Sequence, residues 1–125
     1  MTKGIHTNGL MTRTAGATVE RGQLLKASAG KVVPCTAATD VALFIALGDA
    51  NADELIPVAA LGAAEGTQLV KATAAVAAGD PINPLGTVAA EGDVSVGRAL
   101  EPATADELAE VAHQVATKIP VPATI

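Results

Sequence analysis

The amino-acid sequence predicts a mostly β protein, and two observations lead to that prediction. Glycines recur at short spacing from Gly22 to Gly97, and apolar pieces of a few residues lie between them. Short apolar pieces bounded by Gly, Pro, Asn and Asp are typical of strands joined by turns. The pieces that we predict as strands are Gln23–Lys26, Lys31–Val33, Leu43–Leu47, Leu55–Val58, Gln68–Val70 and Val94–Val96. A length of 125 residues fits one small domain.

The composition predicts a thin core and argues against nucleic acid as a partner. Half of the residues count as hydrophobic, but 28 of them are alanine and Phe44 is the one aromatic residue. Alanine buries far less apolar area than leucine, so the core gains little area per residue. A net charge of −5 and the lack of Trp and Tyr remove the basic surface and the stacking platforms of a nucleic-acid binder.

The first 15 residues differ from the rest and predict an extended N-terminal arm, with a β-rich domain at 16–125. This segment is rich in Thr, Gly and Asn and shows no sustained hydrophobic period. Such a segment is expected to order only against another surface, although a frayed terminus without a role is the alternative. The arm residues that we expect to contact a partner are Ile5, His6, Leu10, Met11 and Arg13.

Neither a membrane segment nor a disulfide is expected. The longest apolar run, Val41–Leu47, is far shorter than the ~18 residues of a membrane span. The N-terminus has no apolar stretch of the secretory type. Cys35 is the single cysteine, so it cannot form an internal disulfide, and a small buried thiol is the favoured interpretation. Synthesis in a reducing cytoplasm is the corresponding expectation.

Two stretches of the chain resemble each other, which predicts an internal duplication of one β-unit. Residues 46–58 align with residues 99–111 at an offset of 53, and both copies contain Ala-Asp-Glu-Leu. Upstream, the pattern Val-x-x-Gly-x-x-Leu/Ile occurs at 19–25 and again at 76–82. Chance similarity within an alanine-rich chain is the alternative to a duplication.

The duplication also bears on residues 104–116, which fit both a helix and a strand. Thr104 to Glu107 has the spacing of a helix capping box, yet the residues from Val111 to Val121 alternate with the strand period. The first copy has Pro57 at the position of Glu110, and proline inside a helix costs about 3 kcal/mol. We therefore predict a strand over 107–119.

No residue pattern indicates an active site, a metal site or a cofactor site. The acidic residues are scattered at predicted turns, where solvated carboxylates are the expected state. The chain has no Gly-x-Ser-x-Gly motif and no phosphate-binding glycine loop. His113 is expected to be a hydrogen-bonded, partly buried imidazole. We therefore expect no catalytic residues, no metal and no cofactor.

One alternative is a barrel-sandwich carrier or adaptor domain. The patterns at 19–25 and 76–82 resemble turns of the lipoyl- and biotinyl-type barrel-sandwich domains, which carry their cofactor on a lysine at a hairpin. The candidate here is Lys71, in Leu69-Val70-Lys71-Ala72-Thr73. It lacks the Met or Asp neighbours of those domains.

The chain resembles the small capsid decoration, or cement, proteins of tailed bacteriophages over most of residues 4–115. The residues that carry this resemblance are Gly4–Thr7, Ala17–Lys26, Gly30–Val33, Glu65–Thr67, Ala74–Asp80 and Val96–Glu101. The family implies a β-barrel or β-tulip domain without catalytic residues. It implies a structural virion protein, made in the bacterial cytoplasm, that binds the outside of the mature capsid.

The resemblance also implies partners. They are the major capsid protein and further copies of the chain, as a trimer at capsid symmetry axes, and the implied action is to stabilise capsomer contacts. Neither a nucleic acid nor a membrane is expected as a partner. In this protein, the N-terminal arm would be the segment that clamps the capsid.

Overall fold

The computed structural model describes residues 9–121, and within that range it consists of strands and turns, with no helix. This confirms the mostly β prediction. All strand pairs are antiparallel. The strands are β1 Leu10–Thr14, β2 Leu24–Ser28, β3 Lys31–Pro34, β4 Phe44–Ala46, β5 Leu55–Ala60, β6 Gln68–Lys71, β7 Pro81–Ile82, β8 Val94–Ala99 and β9 Leu108–Lys118.

The strands form two open sheets and not the closed barrel that the family resemblance implied. A five-stranded sheet has the order β1-β5-β4-β2-β3, and a four-stranded sheet has the order β6-β9-β8-β7. The first sheet curls until its two end strands approach each other, but they meet only at the bridge between Ala15 and Val32. One bridge does not close a barrel, because closure requires a continuous ladder between the end strands.

The two sheets are copies of one another, which confirms the internal duplication. We define unit 1 as residues 9–60 and unit 2 as residues 66–113. Strands β1, β5, β4 and β2 of unit 1 correspond to β6, β9, β8 and β7 of unit 2, and both sheets have the same order. The registers also agree, because Met11 pairs with Val58 as Gln68 pairs with Val111. The counterpart of β3 is reduced to the bridge between Ile82 and Val88.

Hydrogen bonds outside the strands repeat in the same way. Val19 and Ala50 exchange backbone hydrogen bonds of 2.8 and 3.0 Å, and Val76 and Ala103 exchange bonds of 2.9 and 3.1 Å. The backbone is left-handed at equivalent positions, with φ of +71° at both Asp53 and Asp106. The resemblance in sequence therefore reflects a shared backbone conformation and not alanine content alone.

Residues 104–107 form a turn, and the strand predicted over 107–119 is present as β9. The capping-box spacing at this point closes a β-turn, in which the Thr104 N–H donates to the Glu107 carboxylate at 2.7 Å. The N–H of Asn51 donates to Glu54 in the same way in unit 1, at 2.6 Å. A side-chain acceptor three residues on therefore serves a turn as well as a helix N-terminus.

The hydrophobic core has two parts, of which one lies within unit 1 and the other is shared between the two units. One cluster lies within unit 1 and includes Leu25, Ile56 and Val58. The other contains the equivalent residues of unit 2, among them Ile82 and Val111, together with residues from the first half of the chain: Leu24, Ala42, Ile45 and Leu61. The sheet of unit 1 is therefore buried on both faces, and one of these faces packs against unit 2.

Candidate interaction surfaces

The predicted contact residues fall partly outside the described chain and partly on the edge strand β1. Ile5 and His6 lie outside the described residues. Leu10 is 41% exposed, Arg13 is exposed, and Met11 packs against the core cluster of unit 1. The Arg13 guanidinium lies 6.0 Å from the centre of the Phe44 ring, at the limit of a cation–π contact.

The structure places residues 10–14 in the sheet of the domain, inside the segment that we predicted as an arm. The five residues pair with β5 from Leu10–Ala59 to Thr14–Leu55, and Ala15 is fully buried. The duplication could have predicted β1. This strand lies 57 residues before β6, and the sequence analysis predicted β6 as a strand. Gly9 and Gly66 precede the two strands and share a φ of +73°.

The two units contact each other where a turn of unit 1 meets strand β6. The Lys71 N–H donates to the Gly22 carbonyl at 2.9 Å, and the Lys71 ammonium pairs with the Glu20 carboxylate. A Cβ atom at Gly22 would lie 2.6 Å from Leu108 Cδ2 and 2.8 Å from the Lys71 nitrogen. The backbone at Gly22 therefore approaches β6 more closely than any side chain would allow.

A cleft of about 390 Å³ lies between the units, beside this contact. Its lining includes Cys35, Lys71, Thr73 and Asp106. Burial raises the pKa of the Cys35 thiol to about 12, with a smaller contribution from the Asp40 charge. The thiol is therefore protonated at neutral pH, which fits the expected unreactive cysteine.

The position of Lys71 does not match that of a carrier lysine. Lys71 is the last residue of β6, and the next strand, β7, lies at the opposite edge of the sheet. No β-hairpin follows Lys71, and its side chain is 26% exposed and paired with Glu20. The carrier alternative required a lysine presented at the tip of a hairpin, so the geometry does not support it.

A second groove, of about 420 Å³, lies on the outer side of unit 2, between its sheet and residues 114–120. Its lining includes Pro81, Arg98, Gln114, Ile119 and Pro120. Arg98 is exposed here and donates to the Gly79 carbonyl at 2.9 Å. The equivalent residue in unit 1 is Ile45, which is fully buried. The same position of the repeat is therefore apolar and buried in unit 1, and charged and exposed in unit 2.

His113 has the environment that the sequence analysis predicted. Its Nδ1 accepts the Gly62 N–H at 2.9 Å, and the residue is half-buried. Within residues 9–121 no group of His, Cys, Asp and Glu side chains is placed to hold a metal ion. None of the described residues forms a helix long and apolar enough to cross a membrane.

Comparison with known proteins gave a match in structure but none in sequence. Neither a family model nor a curated protein matches the chain. In fold the chain is similar to the N base of head fiber gp8.5 in bacteriophage phi29, known from a crystal structure. The likeness has a TM-score of 0.65, covers 86% of this chain and 95% of the other, and includes 17% sequence identity. At that identity the likeness shows a shared fold.

Proposed function

We propose that the protein is a structural component of a phage virion that binds the outside of the mature capsid and stabilises the contacts between capsomers. The observation that carries the proposal is the fold shared with the N base of a phage head fiber over nearly the whole of both chains. The sequence resemblance to capsid decoration proteins, drawn from other evidence, points to the same kind of particle.

The proposed action is binding and not catalysis, with the major capsid protein as the partner and a trimer at capsid symmetry axes as the assembly. The small core is compatible with this action, since alanine supplies much of it. A partner that binds only the native state adds stability in proportion to the logarithm of its concentration over Kd. Many binding sites on one shell would therefore compensate for a modest stability of the free domain.

Co-sedimentation with shells of the source phage tests the proposal. We expect the protein to pellet with expanded shells and to remain in the supernatant with unexpanded shells. Bound shells should release their DNA at a higher temperature than bare shells. An unrelated acidic protein of the same size is the control for trapping in the pellet. Failure to bind either form of shell would overturn the proposal, and binding without a thermal effect would overturn its stabilising part.

A further inference from the structure

The duplication gives unit 1 an exposed copy of a site that is occupied in unit 2. In unit 2, the Lys71 N–H and the Leu108 side chain receive the turn at Gly22. Lys71 pairs with Leu108 in register, and the equivalent pair in unit 1 is Thr14 with Leu55. We call these two residues the Thr14–Leu55 patch.

The patch has the same backbone geometry as its occupied copy. The Ala15 N–H donates to the Glu54 carbonyl at 2.8 Å, so it points into the sheet. Successive residues of an edge strand direct their N–H groups to opposite sides, which turns the Thr14 N–H away from β5. Ala72 and Lys71 show this alternation in unit 2, where Ala72 donates to Glu107 and Lys71 donates to Gly22.

The patch differs from its copy in what covers it. Leu108 is half-buried beside the turn at Gly22, whereas Leu55 is 70% exposed. No turn of residues 9–121 covers Leu55, so a large apolar side chain stands in water beside an outward-facing N–H group. The occupied copy shows what fits there: a turn with glycine at a positive φ, which presents its carbonyl to the N–H and its Cα to the leucine.

A second copy of the chain is a poor occupant. Its equivalent of the Gly22 turn is the turn at Gly79, whose carbonyl already accepts a hydrogen bond from Arg98. If the turn at Gly79 bound the patch, the adjoining sheet face of unit 2 would also enter the contact. This face has Arg98 at the position of Ile45 in unit 1. A charged residue on the outer face of a terminal repeat opposes the addition of a further unit, because its charge would have to be buried.

We propose that the Thr14–Leu55 patch is the site where a glycine turn of the shell subunit binds this protein. The partner's carbonyl accepts the Thr14 N–H, and its apolar turn covers Leu55. This inference rests on the proposed function, since it names the surface that contacts the shell. The neighbouring residues Leu10 and Arg13, which the sequence analysis predicted as contacts, lie on the same edge strand.

Leu55→Lys, with Val121→Lys as its control, tests the proposal. The control also replaces an exposed apolar residue by lysine, since Val121 is 64% exposed. Val121 lies in the second half of the chain, outside the patch. We expect Leu55→Lys to weaken shell binding at least tenfold and Val121→Lys to leave it unchanged. Thermal unfolding of the free proteins should be the same, since both side chains are mostly in water.

Thr14→Pro is a second, independent variant, because it removes the N–H while proline remains tolerated at an outward position of an edge strand.

If wild type fails to bind shells, the proposed function and the patch are both overturned. If wild type binds and Leu55→Lys binds equally well, only the patch is overturned. Equal weakening by Leu55→Lys and Val121→Lys also overturns it. So does a change in oligomeric state with Leu55→Lys at unchanged shell binding, which would assign the patch to a second copy.

Discussion

Unit 1 and unit 2 have the same strand order, registers and turns, but their environments differ. Unit 1 is buried on both faces of its sheet, whereas unit 2 has one face that is open. The pair Ile45 and Arg98 marks the difference, because the two residues hold the same place in the two sheets. One backbone therefore serves as an inner layer in one copy and as an outer layer in the other.

The comparison also separates interactions that the fold requires from those that join the units. Turns with a left-handed third residue occur in both copies, so they belong to the repeat itself. The contact between Gly22 and Lys71 occurs once, because unit 2 has no third unit to contact. Matched substitutions at equivalent positions can therefore measure the contact between units directly.

Gly22→Ala and Gly79→Ala should give the largest contrast. Both glycines have a φ of +88°, where a side chain costs about 1 kcal/mol. A Cβ at Gly22 also strikes Leu108 and Lys71, whereas nothing lies within 4 Å of a Cβ at Gly79. We expect a loss of about 4 kcal/mol for Gly22→Ala and about 1 kcal/mol for Gly79→Ala in urea unfolding. Equal losses would show that the close approach between the units contributes nothing.

Ile45→Ala and Arg98→Ala come next. Ile45 is fully buried between the units, so its truncation leaves a cavity and should cost about 3 kcal/mol. Arg98 is exposed and makes one hydrogen bond to the Gly79 carbonyl, so its truncation should cost less than about 1 kcal/mol. Urea unfolding of both variants beside wild type measures the two losses. Similar losses at the two positions would contradict the division into an inner and an outer layer.

Acid should act on unit 1 through Asp40. Its carboxylate accepts the N–H groups of Thr36 and Ala37 and pairs with Lys26, and these contacts, led by the Thr36 N–H, lower its pKa below the ordinary 3.8. A lowered pKa adds stability above the unfolded-state value, and this contribution is lost as the pH falls from about 4 through the folded-state pKa.

The melting temperature of wild type should therefore fall more steeply below pH 4 than that of Asp40→Asn, which is already lower at pH 7. Thermal unfolding at pH 7, 5, 4 and 3 measures the two profiles. Parallel profiles for the two proteins would mean that Asp40 has no part in the acid response. Unit 2 has an equivalent turn, in which the Asp93 carboxylate accepts the Ala90 N–H at 3.0 Å as Asp40 accepts the Ala37 N–H at 3.0 Å.

The smallest effects are expected for Glu54→Ala and Glu107→Ala, which remove equivalent turn acceptors. Each carboxylate accepts one turn N–H, and Glu107 also accepts the Thr104 hydroxyl at 2.6 Å. Both variants should melt slightly below wild type in a calorimetric scan, with Glu107→Ala the lower of the two. A large fall in one variant alone would indicate that the two turns are not equivalent.

Much of the strand and turn pattern could be predicted from the sequence, because it is local. The glycine spacing and the short apolar pieces predicted six strands, and the duplication decided in favour of a strand over 107–119, which is present as β9. Strands β1 and β7 were not predicted. The side chains of β1 are mostly outside the core, so it lacks an apolar period, and β7 is only two residues long.

The residues of the candidate site were harder to predict from the sequence. Leu10 and Arg13 were predicted as contact residues, but Thr14 and Leu55 were not. Leu55 belongs to an Ala-Asp-Glu-Leu segment that also occurs at Leu108, so the sequence presents the two leucines as equal. Leu108 lies beside the turn at Gly22 and is half-buried, whereas Leu55 is 70% exposed.

The class of fold, the repeat and the turns follow from the sequence alone, because they depend on the conformational preferences of a few neighbouring residues. Which sheet forms the inner layer, and which copy of the turn-binding site stays exposed, becomes visible in the folded chain. Those outcomes depend on contacts between residues about 50 positions apart, such as Gly22 with Lys71, and local patterns do not encode them.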